Sequence, residues 1–527
     1  MRARYWLIIS GVTFLFLALL SNLYHLQITK TDFYKAKAAA QAGNGAQPPR
    51  RTIYFTDKFD KAIPAALNKE YPVIFAVPTE VPDPEEAATQ LSAIIGRPAD
   101  ELKPLLSKPN DTYELLLPKA SEAQAAAAQN AHIKGVYVDR QDFRFYPFGS
   151  LAAHVLGFIS PGDQDSLIAG RYGIERQFGE KLAADDVFLT INRNIQARAE
   201  EILKAVAEKY GATGGTVIVQ NPKTGAILAF GNYPIFDPNE YSKSPVSSYL
   251  NPGVELRYEP GSVFKVITMA AGIDAGKITP DTKYYDKGLV TIDGRTISNW
   301  DLEKVGAYGW TTMTEVIEHS INTGAIFAEQ KTGHDSFYNY LLKFGFNDLT
   351  GITLPGELIG NFRNLRTSFR DVNFATASFG QGLAVTPLTL ISGLSAIANG
   401  GILMKPFIVK GIAPEEVRRV ISEDAAAQVT AMMVSAVEKG KVAAIPNYRV
   451  AGKTGTAYIA DGRGGYSHEV VNTYVGFAPA SDPAFTILYK LDKPKGAPVA
   501  ALTVVPAFHD LAQFILNYYN IAPDNVK

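Results

Sequence analysis

The spacing of apolar residues changes character several times along this 527-residue chain, and each change predicts a different kind of element. Residues 5–20 are almost wholly apolar, and no Asp, Glu, Lys or Arg occurs between Arg4 and Lys30. A run of that length predicts a helix able to span a bilayer, with Tyr5 and Trp6 at one edge and Tyr24 near the other, where interface aromatics sit. Residues 36–49, rich in Ala, Gln and Gly and closing on Pro48-Pro49, predict a linker. Mixed patterns follow: strands at 73–77, 136–139 and 143–145, and helices at 84–95 and 120–130. A strand at 187–192 and a helix at 195–209 come next. Two apolar strands, 217–219 and 226–228, then flank Asn221-Pro222-Lys223-Thr224-Gly225, a hairpin signal. Helical patterns occupy 263–275, 312–331, 336–344, 387–398 and 422–439. Strands return at 449–459, 470–477 and 484–491, before a last helix at 505–519. Strands at both ends with helices between them predict an α/β (α+β) domain, with one mixed sheet assembled from distant segments.

Length and composition narrow the picture. Two to four domains are expected at this size, and 46% apolar residues supply a large core. We expect a cytoplasmic tail (1–4), a transmembrane anchor (5–29), a juxtamembrane linker (30–49), a mixed α/β pedestal (50–186) and the domain that carries the chemistry (187–527). Arg2 and Arg4 favour a cytoplasmic N-terminus, which places the bulk of the chain outside a cell membrane crossed once. A cleaved signal peptide is the rival reading. The apolar core is longer than a usual signal core, and Ser21-Asn22-Leu23 is a poor cleavage site. The net charge is −1 with no basic tract, so nothing indicates nucleic acid. There is no cysteine, which excludes thiol catalysis, disulfides and cysteine metal sites, and the seven histidines show no metal spacing. We expect neither metal nor cofactor.

Candidate chemistry begins at Tyr258-Glu259-Pro260-Gly261-Ser262-Val263-Phe264-Lys265. A helix starting there puts Ser262 and Lys265 at i and i+3, so an amine whose pKa is lowered by burial or a neighbouring cation can take the hydroxyl proton. Taken alone, about two such Ser-x-x-Lys spacings arise by chance in a chain this long. Two further motifs make it specific. Ser320-Ile321-Asn322 lies within the helical stretch 312–331, where its hydroxyl can relay a proton and its amide can hold a substrate. Lys453-Thr454-Gly455-Thr456 lies on a predicted strand, where Lys453 can neutralise a carboxylate and backbone N–H groups can form half of an oxyanion hole. Lys-Thr-Gly occurs twice more. Lys223-Thr224-Gly225 sits in a hairpin turn and Lys331-Thr332-Gly333 ends a helix, and both are read as structural.

In that order the three motifs resemble the signature of penicillin-recognising serine enzymes, and the chain resembles a class B penicillin-binding protein, the monofunctional D,D-transpeptidase type. Further matching stretches are Asn299-Trp300-Asp301, Leu354-Pro355-Gly356-Glu357, Phe379-Gly380-Gln381-Gly382, Ala398-Asn399-Gly400-Gly401 and, upstream, Gly173-Ile174-Glu175. Departures fall in the pedestal, where Arg51-Thr52 and Asp57-Lys58 stand in place of Arg-Gly and Asp-Arg. The resemblance implies a penicillin-binding/β-lactamase-like domain with a helical subdomain, on a dimerisation-like pedestal. It implies Ser262 as nucleophile, Lys265 as base, Ser320 as relay and Asn322 on the donor backbone. Lys453 with Thr454, Gly455 and Thr456 would hold the terminal carboxylate, and the backbone N–H groups of Ser262 and Thr456 would hold the oxyanion. The implied substrates are donor and acceptor peptidoglycan stem peptides, with β-lactams as covalent inhibitors. The implied partners are the membrane, a polytopic glycosyltransferase and division or elongation proteins; the compact pedestal leans towards division. Two alternatives are a membrane-anchored hydrolase (a D,D-carboxypeptidase or β-lactamase), for which Glu357 and Asn361 have suitable spacing, and a non-catalytic β-lactam-binding scaffold.

Overall fold

The computed structural model of the chain describes residues 2–24, 28, 50–161, 168–368, 370–461, 463, 465–496 and 499–525, and of residues 2–10 the backbone alone. The expected linker at 30–49 lies outside the described residues. Helix α1 (Arg2–Tyr24) is continuous, and Val12, Phe14, Leu15, Phe16, Leu19 and Leu20 on it are exposed. Among the described residues no helix is long and apolar enough to cross a membrane.

The first sheet contains β1 (Ile53–Thr56), β2 (Ala62–Ala76), β3 (Glu114–Leu117), β4 (Val136–Phe145) and β5 (Val187–Asn192), in the order β3-β2-β1-β5, with β4 also on β2. The strand signals at 136–139 and 143–145 fuse into β4, because it pairs with β2 without interruption from Phe145 opposite Leu67 to Val136 opposite Ala76. Helix α2 (Pro84–Ile95) has bounds its sequence states outright. Pro84 opens it, the Asp83 side chain accepts from two first-turn N–H groups, and Gly96 closes it at φ 72°. Strand β5 was expected to open the second domain. It pairs in parallel with β1 and bridges Leu189 to Val409, so it ties the pedestal to the rest of the molecule. Nearby, the fully buried Glu175 accepts from Arg144 Nε at 2.7 Å and lies 3.0 Å from Arg50 Nε. Such a buried cluster fixes geometry more than it adds net stability.

The second sheet is built from β6 (Gly214–Gln220), β7 (Ile227–Tyr233), β8 (Ala451–Ala460), β9 (Tyr466–Ala478) and β10 (Phe485–Asp492), in the order β8-β9-β10-β6-β7. It unites distant segments as expected, but every pairing is antiparallel, so the sheet is not mixed. Side-chain period cannot distinguish these, since alternation is the same in both directions. Consecutive residues serve opposite faces. Val217 and Val219 pack with Ile487, Tyr489 and Phe508 on one side, and Ile218 and Leu488 pack with Val266, Leu390 and Leu394 on the other. A strand buried on both faces reads as a continuous apolar run, which is why Val217-Ile218-Val219 was visible as a strand. Helices α3 (Arg193–Lys209) and α9 (Val504–Tyr518) cover the first face. On the other face α7 (Pro387–Ala398) is buried at every position, as an all-round apolar helix must be. It packs with α4 (Lys265–Asp274), whose residues are also almost all buried, and with α8 (Glu423–Gly440). The catalytic motifs gather at the β8 edge of this sheet.

Candidate active site

Gly261–Phe264 form a 3-10 turn that runs directly into α4. Gly261 starts the turn at φ 59°, and its N–H donates to Gly380 O at 3.1 Å. Gly380, at φ 80°, lies so close that a Cβ there would collide with the Gly261 backbone, which is the physical reason for glycine at both positions. In a 3-10 turn residues i and i+3 eclipse, so Ser262 and Lys265 share a side, while Val263 and Phe264 are buried in the core. Ser262 is half-buried and Lys265 is fully buried. Among the described residues the Ser262 hydroxyl has no hydrogen-bond partner. The Lys265 ammonium group instead donates to Ser320 O, and to Ser320 Oγ at 3.2 Å.

The helix expected at 312–331 is broken where it matters. α5 (Met313–His319) opens with a capping box between Thr312 and Glu315 and ends on Ser320, which is left-handed at φ 59°, ψ 45°. Ile321 is extended and fully packed, and α6 (Asn322–Thr332) begins immediately after it. In an unbroken helix the Ser320 carbonyl would be taken by the N–H four residues on. The break releases it to Lys265. A non-glycine residue in this conformation costs about 1–2 kcal/mol, and the two lysine contacts hold it there. Asn322 Nδ2 donates to Ser298 O at 2.9 Å, leaving its carbonyl oxygen for another donor.

Strand β8 is the edge strand, paired with β9 on one side only. Its other edge lies along the serine turn. A Cβ at Gly455 would stand 2.7 Å from Pro260 O and 2.9 Å from Val263 Cγ2, and one at Gly261 would stand 3.1 Å from Thr456 O. The backbone of 455–456 and the Ser262 turn are therefore in van der Waals contact. Lys453, 4% exposed, donates to Ser320 Oγ at 3.0 Å and to Thr454 Oγ1 and O, each at 3.2 Å. Thr456 Oγ1 accepts from Ala500 N at 3.3 Å. One hydroxyl, that of Ser320, thus sits between two buried amines.

Burial holds Lys265 well below the ordinary lysine value; the neighbouring Lys453 charge pushes the same way and Asp301 pushes against it. Burial alone brings Lys453 down to about 7. A neutral Lys265 beside a protonated Lys453 is then accessible near neutral pH. Asp301, the last residue of Asn299-Trp300-Asp301, joins the site here. It is 6% exposed, its Oδ2 accepts from Tyr308 OH at 2.6 Å, and its buried Oδ1 has no hydrogen-bond partner. Its segment is pinned in place. Asn299 Nδ2 donates to both oxygens of buried Asp286 at 3.1 Å, Thr323 Oγ1 donates to Asp286 at 2.6 Å, and Trp300 Nε1 donates to His319 O at 3.2 Å. A Trp-Asp pair just upstream of Ser-x-Asn was the available signal.

The other two Lys-Thr-Gly triplets are remote from this cluster. Gly225 turns the β6–β7 hairpin at φ 85° and Gly333 ends α6 at φ 84°. Glu357 accepts from Thr350 N at 2.7 Å, Gly351 N at 3.2 Å and Thr350 Oγ1, so its carboxylate is committed to its own loop. Among the described residues no group of three or more His, Asp or Glu could hold a metal ion.

A half-buried hydroxyl on a tight turn, a buried amine one turn on and an edge strand against both define a serine acyl-transfer centre. The penicillin-binding protein transpeptidase domain family matches residues 215–511, and the penicillin-binding protein dimerisation domain family matches 46–217. Stage V sporulation protein D of Bacillus subtilis is 33% identical over 475 residues, covering 82% of this chain and 73% of that protein. A probable peptidoglycan D,D-transpeptidase, PbpC, of Pseudomonas aeruginosa is 28% identical, covering 99% and 96%. The crystal structure of penicillin-binding protein 3 from Mycobacterium tuberculosis complexed with aztreonam superposes with a TM-score of 0.69 at 27% identity, covering 91% of this chain and 98% of that one. The chain belongs to the class B penicillin-binding proteins. It is a peptidoglycan D,D-transpeptidase of the serine type.

Proposed function

We propose that the transpeptidation runs through an acyl-enzyme on Ser262. The observation that carries this reading is the Ser320 hydroxyl between the Lys265 and Lys453 amines. Neutral Lys265 takes the Ser262 proton as Oγ attacks the penultimate D-Ala carbonyl of the donor stem peptide. Backbone N–H groups of Ser262 and Thr456 hold the oxyanion. As the C–N bond breaks, the proton passes through Ser320 to the departing D-Ala amine. Protonated Lys453, with Thr454 or Thr456, holds the terminal carboxylate, and the free oxygen of Asn322 accepts from the donor backbone. The amine of a second stem peptide then attacks the ester, the crosslink forms and Ser262 regains its proton. β-Lactams acylate the same oxygen. Lys453→Ala is expected to lower acylation by a carboxylate-bearing peptide ester about a hundredfold, and by a neutral thioester far less. Equal losses for the two substrates, measured as kcat/KM, would remove the carboxylate-binding role.

We further propose that residues 5–29 anchor the protein in the cell membrane, with its N-terminus in the cytoplasm and the catalytic domain outside. In support, no Asp, Glu, Lys or Arg occurs between Arg4 and Lys30, α1 is continuous over 23 residues, and Val12, Phe14, Leu15, Phe16, Leu19 and Leu20 on it are exposed. The partners proposed are a polytopic glycosyltransferase and proteins of the division machinery. The cysteine-free sequence offers a direct test of topology. In intact cells, Asp281→Cys should react with a membrane-impermeant maleimide and Arg4→Cys should not; the reverse pattern would overturn the orientation.

A further inference from the structure

A second polar groove, of about 450 Å³, opens beside the lead-in to the catalytic serine and is lined by Arg257, Asn347, Asn361, Arg363, Arg366 and Thr367. Among the described residues no acidic side chain lines it. Among the described residues none of its three arginines pairs with a carboxylate, whereas Arg370, a few residues on, has Asp293 at 3.7 Å. Among the described residues the Arg257 guanidinium donates one hydrogen bond, to Ile359 O at 3.5 Å. The acidic residues nearest along the chain are engaged elsewhere: Asp348 accepts from Arg418 at 2.9 Å, Glu255 from Asn251 N at 2.5 Å, Glu259 from Tyr466 OH at 3.0 Å, and Glu357 from Thr350 N and Gly351 N. Three guanidinium groups around one cavity repel one another, and an anion of two or more charges relieves that repulsion while offering planar acceptors for bidentate bonding.

The groove is built onto the catalytic platform. Tyr258 and Val385 exchange both backbone hydrogen bonds at 3.0 Å, and Asn361 and Ala384 exchange theirs at 2.7 and 3.1 Å. Tyr258, Val385, Ala384 and Asn361 therefore lie side by side through two isolated antiparallel bridges, and Arg257 and Asn361 carry the groove next to them. Arg257 precedes Ser262 by five positions, so the two are at most about 17 Å apart even along a fully extended chain. That is within the span of a substrate peptide of about five residues.

We propose that this groove binds free carboxylates of the peptidoglycan peptide whose reacting end lies at Ser262, as a subsite separate from the terminal-carboxylate position at Lys453. The inference rests on the transpeptidase activity and adds a charge preference for the part of the peptide remote from the scissile bond. Binding energy gathered there holds the peptide against the nucleophile.

The test uses the full-length detergent-solubilised protein and two synthetic peptide thioesters that differ only in carrying two glutamates or two glutamines away from the reacting end. In the parent protein the diacid should have the higher kcat/KM. In Arg363→Glu/Arg366→Glu the diacid-to-diamide ratio should fall at least about tenfold, the scale of one charge-assisted hydrogen bond. Arg363→Lys/Arg366→Lys should restore part of it, and the parent ratio should shrink as salt rises. Tm and the penicillin adduct of the charge-reversed protein show whether fold and nucleophile are intact, so a loss of the transpeptidase site itself is recognisable. An unchanged ratio in a folded, penicillin-reactive variant overturns the proposal. So does competition by millimolar inorganic phosphate with no preference for the diacid, which would make the groove a phosphate site.

Discussion

Ser262→Ala is expected to abolish the covalent penicillin adduct, with acylation falling on the order of a millionfold, as when an activated serine nucleophile is removed elsewhere. The fold should be untouched. The side chain is half-buried and has no hydrogen bond among the described residues, and such substitutions usually stay within about 0.5 kcal/mol. The experiment matters because the site holds a rival hydroxyl. Ser320 Oγ touches both lysines, and hydrogen bonding alone would make it the better-activated oxygen. What favours Ser262 is the oxyanion. The edge of β8 lies against the Gly261–Phe264 turn, and in the proposed mechanism backbone N–H groups of Ser262 and Thr456 would hold the tetrahedral oxyanion there. Ser320→Ala should therefore retain the adduct at a rate about a hundredfold or more lower, as expected of a lost proton relay. Intact-protein mass spectrometry followed by mapping of the modified peptide separates the two serines. An adduct persisting in Ser262→Ala would reassign the nucleophile.

Much of this geometry was legible in the sequence because it rests on local rules. α2 is bounded by Asp83, Pro84 and Gly96, and strands such as Val217-Ile218-Val219 announce themselves by being apolar throughout. The choice of Lys453 over Lys223 and Lys331 followed from strand context, and the three triplets do fall on a strand, a turn and a helix end. The illegible features are decided by tertiary contact. Val316, Ile317, Ile321, Ala325 and Ala328 carry a helical spacing straight through Ser320, so nothing in the pattern marks the break. The break depends on a lysine 55 positions away. Strand direction was misjudged for a related reason. Ile218 meets Leu488 across the sheet, and a pairing of that sequence separation leaves no trace in side-chain period. Apart from the Trp-Asp pair, Asp301 carries no local signal of its importance, which lies in its burial and in the charge it presents to Lys265, and only the fold reveals these.

Lys265→Met is expected to lower acylation about a thousandfold or more while leaving the protein as stable as before or more so. The two effects have one cause. Lys265 is fully buried beside a second buried lysine, so its charged form is disfavoured, and the same penalty that makes it a usable base is relieved by an apolar side chain of similar size. The sign with pH follows. A lysine whose folded pKa lies below its unfolded value of about 10.4 binds fewer protons when folded than when unfolded, so its burden on stability is greatest below the folded pKa and fades as pH rises towards the unfolded one. The gain in Tm for Lys265→Met should accordingly be largest in acid and shrink with increasing pH; a gain that grew with pH would contradict a depressed Lys265. Catalysis reads the same charges from the other side. In the free enzyme kcat/KM for a carboxylate-bearing substrate should rise as Lys265 loses its proton and fall as Lys453 does so at about 7. The two limbs belong to the coupled pair of amines rather than to either alone. A neutral thioester should lose the alkaline limb. Asp301→Asn removes the one opposing charge that favours protonated Lys265, so its acid limb should move to lower pH. An acid limb that stays in place would mean that Asp301 positions Trp300 and Tyr308 without setting the charge of the base.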